Sequence, residues 1–289
     1  MQASHTKSNT AGRRVIPRLA MINDIAGFGR CSACVSLPVI SAMQVQVCPA
    51  PTAILSSHLG FSPCHYHDYT PYLRDYLHAW EALGLDFDGL YCGFLGKEKQ
   101  ISIAESFLDT FHPPLFLLDP VMADNGRLYS GITGAYCQRL RQLAARADIL
   151  VPNLTEACLL TETPYQDSGW TPELLDDLCR RLSHICPGSL VITGIREDNC
   201  LLNCIWQEGV RTICRTKTEG ASRPGTGDLF ASVLAADALR GQSLPSSVKK
   251  AADFIALCCK GSEEAGVPVA EGVIFEKYLS RLFPSENAL

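Results

Sequence analysis

Residues 223–232 read RPGTGDLFAS, with two glycines around a threonine and an aspartate at the start of an apolar helical pattern. Beyond Asp228 the apolar residues recur at helical spacing, which predicts a helix. Gly225, Thr226 and Gly227 would then form the helix entrance, where unpaired backbone N–H groups and the helix dipole favour an anion. The stretch therefore predicts an anion site with a carboxylate beside it.

The carboxylate of Asp228 has two interpretations. If the anion is a phosphoryl group in transfer, the carboxylate can take the proton of the attacking hydroxyl group. Alternatively, Asp228 only stabilises the amino terminus of a helix through its charge. Because glycine is a common residue, the four residues from Gly225 to Asp228 do not decide between these interpretations by themselves.

Outward from this stretch, short apolar runs alternate with longer amphipathic segments. This alternation predicts an α/β fold with a mostly parallel sheet and helices on both faces. Residues 201–217 differ, because two β-like runs meet at Glu208-Gly209 and predict an antiparallel hairpin at one end of the sheet. The apolar runs lie at residues 18–22, 89–96, 115–120, 148–153 and 189–194, and the amphipathic segments at residues 72–83, 98–111, 134–147 and 172–186.

No repeat or low-complexity linker divides the chain. We therefore expect one domain over residues 17–283. The polar ends, residues 1–16 and 284–289, are expected to be flexible tails.

Polar residues stop most of the apolar runs. In an open parallel sheet, ligands bind outside the carboxyl ends of the strands, so these side chains would project toward one rim. The alternative is that they only cap helices and begin turns. A glycine pair, Gly27 and Gly29, forms either a turn over a substrate pocket or a plain strand-to-helix connection. The polar residues at strand ends are Asn23, Asp24, Asp119, Asn153 and Thr193.

Composition excludes several classes of protein. A formal net charge of −5 and a pI near 5.8 give no global basic footprint for binding nucleic acid. The apolar runs are far shorter than the roughly 20 residues that span a bilayer, so we expect no membrane partner. The first sixteen residues lack the apolar segment of a secretory signal, which favours a cytoplasmic protein. In that compartment the fourteen cysteines are expected to be thiols.

Several further motifs accompany GTGDLFAS. With them, the chain resembles the pyridoxal kinases, which are vitamin B6 kinases of the ribokinase-like superfamily, from about residue 18 to residue 282. The resemblance implies a ribokinase-like three-layer αβα sandwich with a mostly parallel central sheet and an antiparallel edge hairpin. The motifs are TAILSSH (52–58), GFLG (93–96), DPVMADNGRLY (119–129), PNLTEACLL (152–160) and VITG (191–194).

The same resemblance implies a role for each matching residue. Asp228 would be the catalytic base toward the 5′-hydroxymethyl group of the vitamer, and Gly225, Thr226 and Gly227 would form the anion hole. The implied vitamer-binding residues are Asn23, Thr52, His58 and Tyr129. The implied ATP-binding residues are Asp119, Asp124, Asn153, Glu156, Thr193 and Gly194, of which Asp119, Asp124 and Glu156 would also serve magnesium, Glu156 through water.

The resemblance further implies ATP and Mg²⁺, a monovalent cation such as K⁺, and a homodimer. Two alternatives stay open. A hydroxymethylpyrimidine kinase would act on a similar ring alcohol, although many such enzymes resemble GTGC where this chain has Asp228. The other alternative is a regulator without catalysis that binds the vitamer on a kinase scaffold.

Overall fold

The computed structural model describes residues 14–284. Most of the tail expected over residues 1–16, and nearly all of the one expected over residues 284–289, lies outside this range. Where the first of these is described, Arg14 forms ion pairs with Asp86 and Asp88.

Within residues 14–284, nine strands form the central sheet, and two short strands form a separate ribbon. Apolar β-branched and leucine-rich runs fill the middle of the sheet, as expected for strands that are covered on both faces. The central strands are β1 Arg18–Ala26, β2 Gln46–Leu55, β3 Tyr66–Asp68, β4 Gly89–Cys92, β5 Phe116–Leu118, β8 Ile149–Leu150, β9 Ser189–Glu197, β10 Cys200–Gln207 and β11 Val210–Lys217; the ribbon is β6 Ala123–Asp124 and β7 Arg127–Leu128.

The strand order of the sheet is β11-β10-β9-β8-β5-β4-β1-β2-β3. The six strands from β9 to β2 run parallel, while β3 at one edge and the pair β10 and β11 at the other run antiparallel to their neighbours. The predicted hairpin is confirmed: β10 and β11 meet at Glu208-Gly209, whose positive φ values of 52° and 79° suit a two-residue turn.

Helices cover both faces of the sheet, as predicted, and each face has its own apolar core. Helices α2 to α6 pack on one face, and α1, α7 and α8 pack on the other. Among residues 14–284, no helix combines the length and the hydropathy that crossing a membrane demands. The helices are α1 Ala33–Ala42, α2 Thr70–Ala82, α3 Glu98–Phe111, α4 Gly134–Ala144, α5 Leu154–Thr161, α6 Pro172–Ser183, α7 Thr226–Leu239 and α8 Leu244–Glu264, followed by 3₁₀ segments at Val269–Glu271 and Glu276–Leu282.

Strand β2 was not predicted from the sequence. Pro49 and Pro51 argue against a strand because proline has no N–H to donate. The two prolines are two residues apart, so both point their nitrogens to the same side of the strand. On the side of β2 that faces away from β1, only Ala53 to Leu55 pair with β3. The two proline nitrogens lie outside this paired stretch, so no ladder hydrogen bond is lost at either of them.

Two irregularities in the sheet place polar residues at its carboxyl edge. Strand β1 continues to Ala26 rather than ending before Asn23, and the β1–β2 register shifts between Asn23 and Ile25. The β9–β10 register shifts where Thr193 and Gly194 lie opposite one residue of β10. Such bulges redirect side chains locally, and both of these border the site.

Candidate active site

Asp228 lies in the first turn of α7, at the carboxyl edge of the sheet. Its Oδ2 accepts a hydrogen bond from the Ser32 backbone N–H at 2.7 Å, and its Oδ1 accepts one from Asn23 Nδ2 at 3.4 Å. Burial raises the pKa of Asp228, and these two donors partly oppose that rise. The carboxylate is therefore held in a fixed direction with a higher affinity for a proton than an exposed aspartate has.

The side chain of Asn23 is buried and fully engaged. Its Oδ1 accepts hydrogen bonds from the N–H groups of Phe94 at 2.8 Å and Asp24 at 3.0 Å, while its Nδ2 faces Asp228. A Cβ on Gly93 would lie 2.6 Å from Asn23 Oδ1, so only glycine fits there. The expected ring contact of Asn23 stays a prediction, and its observed role is to orient Asp228.

Thr52 also holds the loop at residues 93–96. It is fully buried, and its Oγ1 donates a hydrogen bond to the Phe94 carbonyl oxygen at 2.8 Å. Its position follows from the extra residue that β2 carries opposite the shifted part of β1. Thr52 and Asn23 therefore fix the same loop from two neighbouring strands.

The two glycines of the GTGD turn differ in what the fold requires of them. Gly225 is the N-cap of α7 with a φ of 81°, and a Cβ there would overlap the carbonyl oxygen of Arg30. Thr226 donates its hydroxyl group to the Arg223 carbonyl oxygen at 3.1 Å. At Gly227, by contrast, a Cβ would meet no heavy atom of residues 14–284 within 4 Å. The turn thus leaves its backbone open to an approaching ligand at Gly227.

Two further buried carboxylates accompany Asp228. Asp119 lies just after β5; its burial and the charge of Asp228 raise its pKa well above the usual value. Burial, and then the charge of Asp228, raises the pKa of Asp24 to about 7. Within residues 14–284 the Asp119 carboxylate accepts no hydrogen bond. At a poorly solvated edge, the mutual repulsion of three carboxylates favours protonation of at least one of them.

The N-x-x-E motif forms a capping box at the start of α5. Asn153 Oδ1 accepts the Glu156 N–H at 3.0 Å, and Glu156 Oε2 accepts the Asn153 N–H at 2.9 Å. The other oxygen of Glu156 accepts the Met122 N–H at 3.0 Å, and Asn153 Nδ2 donates to the Ala123 carbonyl oxygen at 2.8 Å. Both side chains therefore fasten the β6–β7 ribbon, and any contact of Glu156 with magnesium stays a prediction.

The β6–β7 ribbon carries two of the predicted site residues. Asp124 is exposed, and its two carboxylate oxygens accept the backbone and side-chain N–H groups of Asn125, each at 2.8 Å. Tyr129 is 39% exposed; the burial of its hydroxyl group and the nearby Glu156 carboxylate raise its pKa. The ribbon itself was missed, although the Asn125-Gly126 pair is a known hairpin signal, and both residues have positive φ here.

Thr193 and Gly194 lie beside the amino terminus of α5. The Thr193 N–H donates to the Pro152 carbonyl oxygen at 2.9 Å, and a β-bridge joins Thr193 to Asn153. Gly194 has a φ of 75° at the β9 bulge, so the backbone alone explains a glycine there. Thr193 is half-buried and Gly194 is exposed, which leaves both accessible to a ligand at this rim.

His58 makes contacts that differ from the expected one. Its Nδ1 accepts the Gly60 N–H at 3.0 Å, so its Nε2 carries the proton and donates to the Ala270 carbonyl oxygen at 2.7 Å. A Cβ on Gly29 would overlap the imidazole, which accounts for one glycine of the Gly27–Gly29 pair. Neither ring nitrogen is free to bind a substrate while these bonds persist.

The fold thus brings the predicted residues to one rim in two groups. The first surrounds Asp228 at β1, β4 and β5; the second surrounds the start of α5 with the ribbon and β9. Ser32, which supplies the shortest hydrogen bond to Asp228, was missed because no motif marks it. Among residues 14–284, no three His, Cys, Asp or Glu side chains form a group that could hold a metal ion, and all fourteen cysteines are free thiols.

Comparison with known proteins places this geometry in context. The profile of the Phosphomethylpyrimidine kinase family matches residues 39–271. A pyridoxine/pyridoxal/pyridoxamine kinase of Bordetella avium is 26% identical over an alignment of 270 positions, and the match covers 86% of this chain and 87% of that protein.

Two solved structures are also similar. A candidate phosphomethylpyrimidine kinase of Bacteroides thetaiotaomicron, crystallised with pyridoxal, shares 33% identity and a TM-score of 0.87, over 94% of this chain and 98% of that one. Pyridoxal kinase of Lactobacillus plantarum shares 27% identity and a TM-score of 0.87, over 92% and 96%. These similarities confirm the predicted ribokinase-like fold.

Gly225 and Gly227 give a matched pair of substitutions. Gly225→Ala should lower the free energy of unfolding by about 2 kcal/mol or more, because the methyl group meets the Arg30 carbonyl in a left-handed backbone. Gly227→Ala should keep the unfolding midpoint within about 2 °C of the parent and still lower kcat/KM, because its methyl group faces the ligand. Thermal unfolding and turnover measure the two effects; equal losses of stability in both variants would contradict this assignment.

The raised pKa of Asp24 predicts a pH-dependent stability. Between the unfolded value of 3.8 and the folded value of about 7, the folded state holds a proton that the unfolded state has lost. The stability that this bound proton contributes is fully present below pH 3.8, and it is lost as the pH rises from there through 7. Asp24→Asn removes this carboxylate. The free energy of unfolding of the variant, relative to that of the parent, should therefore be about 2–3 kcal/mol higher at pH 8 than at pH 5.

Denaturant unfolding at the two pH values tests this expectation. Asp75→Asn, at an exposed position of α2, is the control and should show no such difference. A gain for Asp24→Asn that is the same at pH 5 and pH 8 would show that Asp24 ionises normally in the folded protein.

Proposed function

The chain belongs to the phosphomethylpyrimidine kinase family, and on that premise we propose that it transfers the γ-phosphoryl group of ATP to the 5′-hydroxymethyl group of a vitamin B6 vitamer. The protein is a kinase, as its similarity to pyridoxal kinases indicates, so the alternative of a regulator without catalysis is set aside. Support for the vitamer comes from the relative named for all three vitamers and from the similar structure that holds pyridoxal.

The observation that carries this proposal is the fixed Asp228 carboxylate beside the open turn of α7. As the hydroxyl oxygen of the vitamer attacks the γ-phosphorus, Asp228 takes its proton, the new O–P bond forms, and the bond to ADP breaks. Ser32 N–H and Asn23 Nδ2 keep the carboxylate pointed at the reacting hydroxyl group. The backbone N–H groups at the start of α7 stabilise the oxygens of the phosphoryl group in transfer.

The second group of residues fits the nucleotide. Thr193 and Gly194 lie accessible at the start of α5, where helix N–H groups and a capping box meet the rim. The ribbon brings Asp124 and Tyr129 to the same side. We place the nucleotide along this rim, so that its terminal phosphate lies toward the turn of α7.

The donor set also fits a divalent cation with the nucleotide. Asp119 is a buried carboxylate without a hydrogen-bond donor among residues 14–284, and Asp124 is exposed nearby on the ribbon. Mg²⁺ prefers such oxygen ligands and, when bound, would offset charge on the phosphates. Glu156 would hold the ribbon in place, and its role toward Mg²⁺ through water remains a prediction. A monovalent cation and a homodimer remain predictions that rest on the resemblance alone.

One observation favours a second candidate, a hydroxymethylpyrimidine kinase. The matching family profile carries the name of that activity, and the Bacteroides thetaiotaomicron structure is described in the same terms. The two substrates are both ring alcohols, so the geometry around Asp228 suits either. The vitamer is preferred because the similar proteins include kinases named for it.

A substrate panel separates the two candidates. Pyridoxal, pyridoxine, pyridoxamine and hydroxymethylpyrimidine are each offered with the same concentrations of ATP and Mg²⁺, and ADP formation is measured. We expect the highest kcat/KM with one of the three vitamers. Turnover of hydroxymethylpyrimidine alone would establish the second candidate, and turnover of none would overturn the proposal. Asp228→Asn protein purified in parallel reports any contaminating kinase.

Removal of the base tests the role of Asp228. Asp228→Ala should lower kcat by about 10²–10⁴-fold, the usual contribution of a general base, and leave nucleotide affinity within about threefold of the parent. Asp253→Asn, an exposed carboxylate on α8 that contacts Lys249, is the control and should keep full turnover. Near-normal turnover of Asp228→Ala would mean that another group accepts the proton.

A further inference from the structure

A short segment near the carboxyl end, residues 267–272, contacts three of the loops at the edge that carries Asp228. We call this segment the strap. Its backbone carbonyl oxygens accept hydrogen bonds from Arg223 before the GTGD turn, from Arg30 in the loop before α1, and from His58 in the loop after β2. Three segments that are distant in sequence are therefore joined through one.

Arg223 makes the most contacts with the strap. Its Nη1 donates to the carbonyl oxygens of Val267 at 2.9 Å, Pro268 at 3.2 Å and Gly272 at 3.2 Å. Its Nη2 lies 3.4 Å from Glu263, whose side chain is 60% exposed. The side chain of Arg223 is only 2% exposed, and its Nε has no hydrogen-bond partner among residues 14–284. This guanidinium is enclosed by protein and does not reach a substrate.

The backbone of Arg223 contacts a different segment from its side chain. Its carbonyl oxygen accepts the hydroxyl group of Thr226, the first residue of α7. The side chain therefore holds the strap while the main chain holds the entrance of the catalytic helix. A shift of the guanidinium would move both together.

The strap and the turn meet at the carbonyl group of Arg30. A Cβ on Gly225 would overlap this oxygen, and a Cβ on Gly272 would lie 2.8 Å from it and 3.1 Å from the Pro224 carbonyl oxygen. The Arg30 N–H donates to the Glu271 carbonyl oxygen at 3.1 Å. The three backbones thus pack with no space for a side chain between them.

This contact leads directly to Asp228. Ser32 lies two residues after Arg30 and donates its N–H to Asp228 Oδ2 at 2.7 Å, from a backbone with a φ of 57°. A non-glycine residue holds that conformation only when its surroundings impose it. The strap contacts Arg30 two residues before this position, so it lies where it can impose that conformation.

We propose that Arg223 is a positioning residue for phosphoryl transfer, which acts through the strap to align the GTGD turn and the Ser32 N–H with the reacting groups. This inference rests on the proposed function, since it takes Asp228 to be the base. Removal of the guanidinium alone leaves the carbonyl oxygens of Val267, Pro268 and Gly272 without this donor, so it also lowers the stability of the protein. Alignment is therefore distinguished from stability by the kcat of the folded variant and by its split from KM.

Arg223→Met and Arg223→Lys test the proposal. Methionine keeps the apolar stem and removes every donor. The kcat should therefore fall by about 10–100-fold, the loss expected when reacting groups are displaced by about 1 Å. The KM for each of the two substrates should change less than about threefold. Lysine keeps the charge with fewer directed donors and should recover part of the lost kcat. A parent-like kcat in the methionine variant, or a rise in KM alone, would overturn the proposal.

Glu263→Gln is the matched control. It removes the ion pair of Arg223 and leaves the three carbonyl contacts, so kcat should match the parent; a loss as large as that of Arg223→Met would assign the effect to charge pairing.

Hydrogen exchange of the amides at residues 30–32 and 225–228 gives a readout without substrate. Faster exchange in Arg223→Met and in Arg223→Lys supports alignment even if the parent phosphorylates no vitamer, which would refute only the proposed function. Parent-like exchange in both variants would refute the alignment itself. If the methionine variant fails to fold, the lysine variant carries both measurements.

Discussion

The close packing around the carbonyl oxygen of Arg30 is the constraint on which the catalytic edge depends. Only because Gly225 and Gly272 lack a Cβ can the turn before α7 and the strap reach the loop before α1. This close approach lets the Ser32 N–H of the loop bind the Asp228 carboxylate at the start of α7. The orientation of Asp228 therefore depends on a backbone contact from Ser32 as well as on the side chain of Asn23.

The same edge must also accommodate several buried carboxylates. Each is compensated differently: Glu156 accepts backbone N–H groups, Asp228 accepts one N–H and one amide, and Asp119 accepts none among residues 14–284. The helices α5 and α7 both begin at this edge, so their amino termini offset part of the negative charge. The negative charge that no hydrogen-bond donor offsets lies mainly at Asp119, next to the proposed path of the phosphates.

The spacing of apolar residues predicted much of the fold. The prediction failed where pairing with a strand distant in sequence decides the structure. The amphipathic segment at residues 98–111 coincides with α3, and the Glu208-Gly209 turn was correctly predicted. Strand β2 was missed because its prolines are acceptable only beside a partly unpaired edge, which no local pattern reveals. For the site, the motifs selected residues that the fold brings to one edge of the sheet, yet the backbone partner of Asp228 is 196 positions away along the chain. Roles such as that of Asn23, an amide that orients a carboxylate, follow from such distant contacts and cannot be read from spacing.

The position of the strap in the chain has a consequence for biosynthesis. Arg30 and the strap carbonyl that it contacts are separated by 241 residues, so nearly the whole domain must leave the ribosome before this contact can form. Strands β1 to β11 and helix α7 precede the strap in the chain, but without the strap the loop at Arg30 lacks its hydrogen bonds to the Glu271 carbonyl oxygen. A nascent chain that ends before the strap lacks this contact, so on the proposed function the alignment of Asp228 comes late in synthesis.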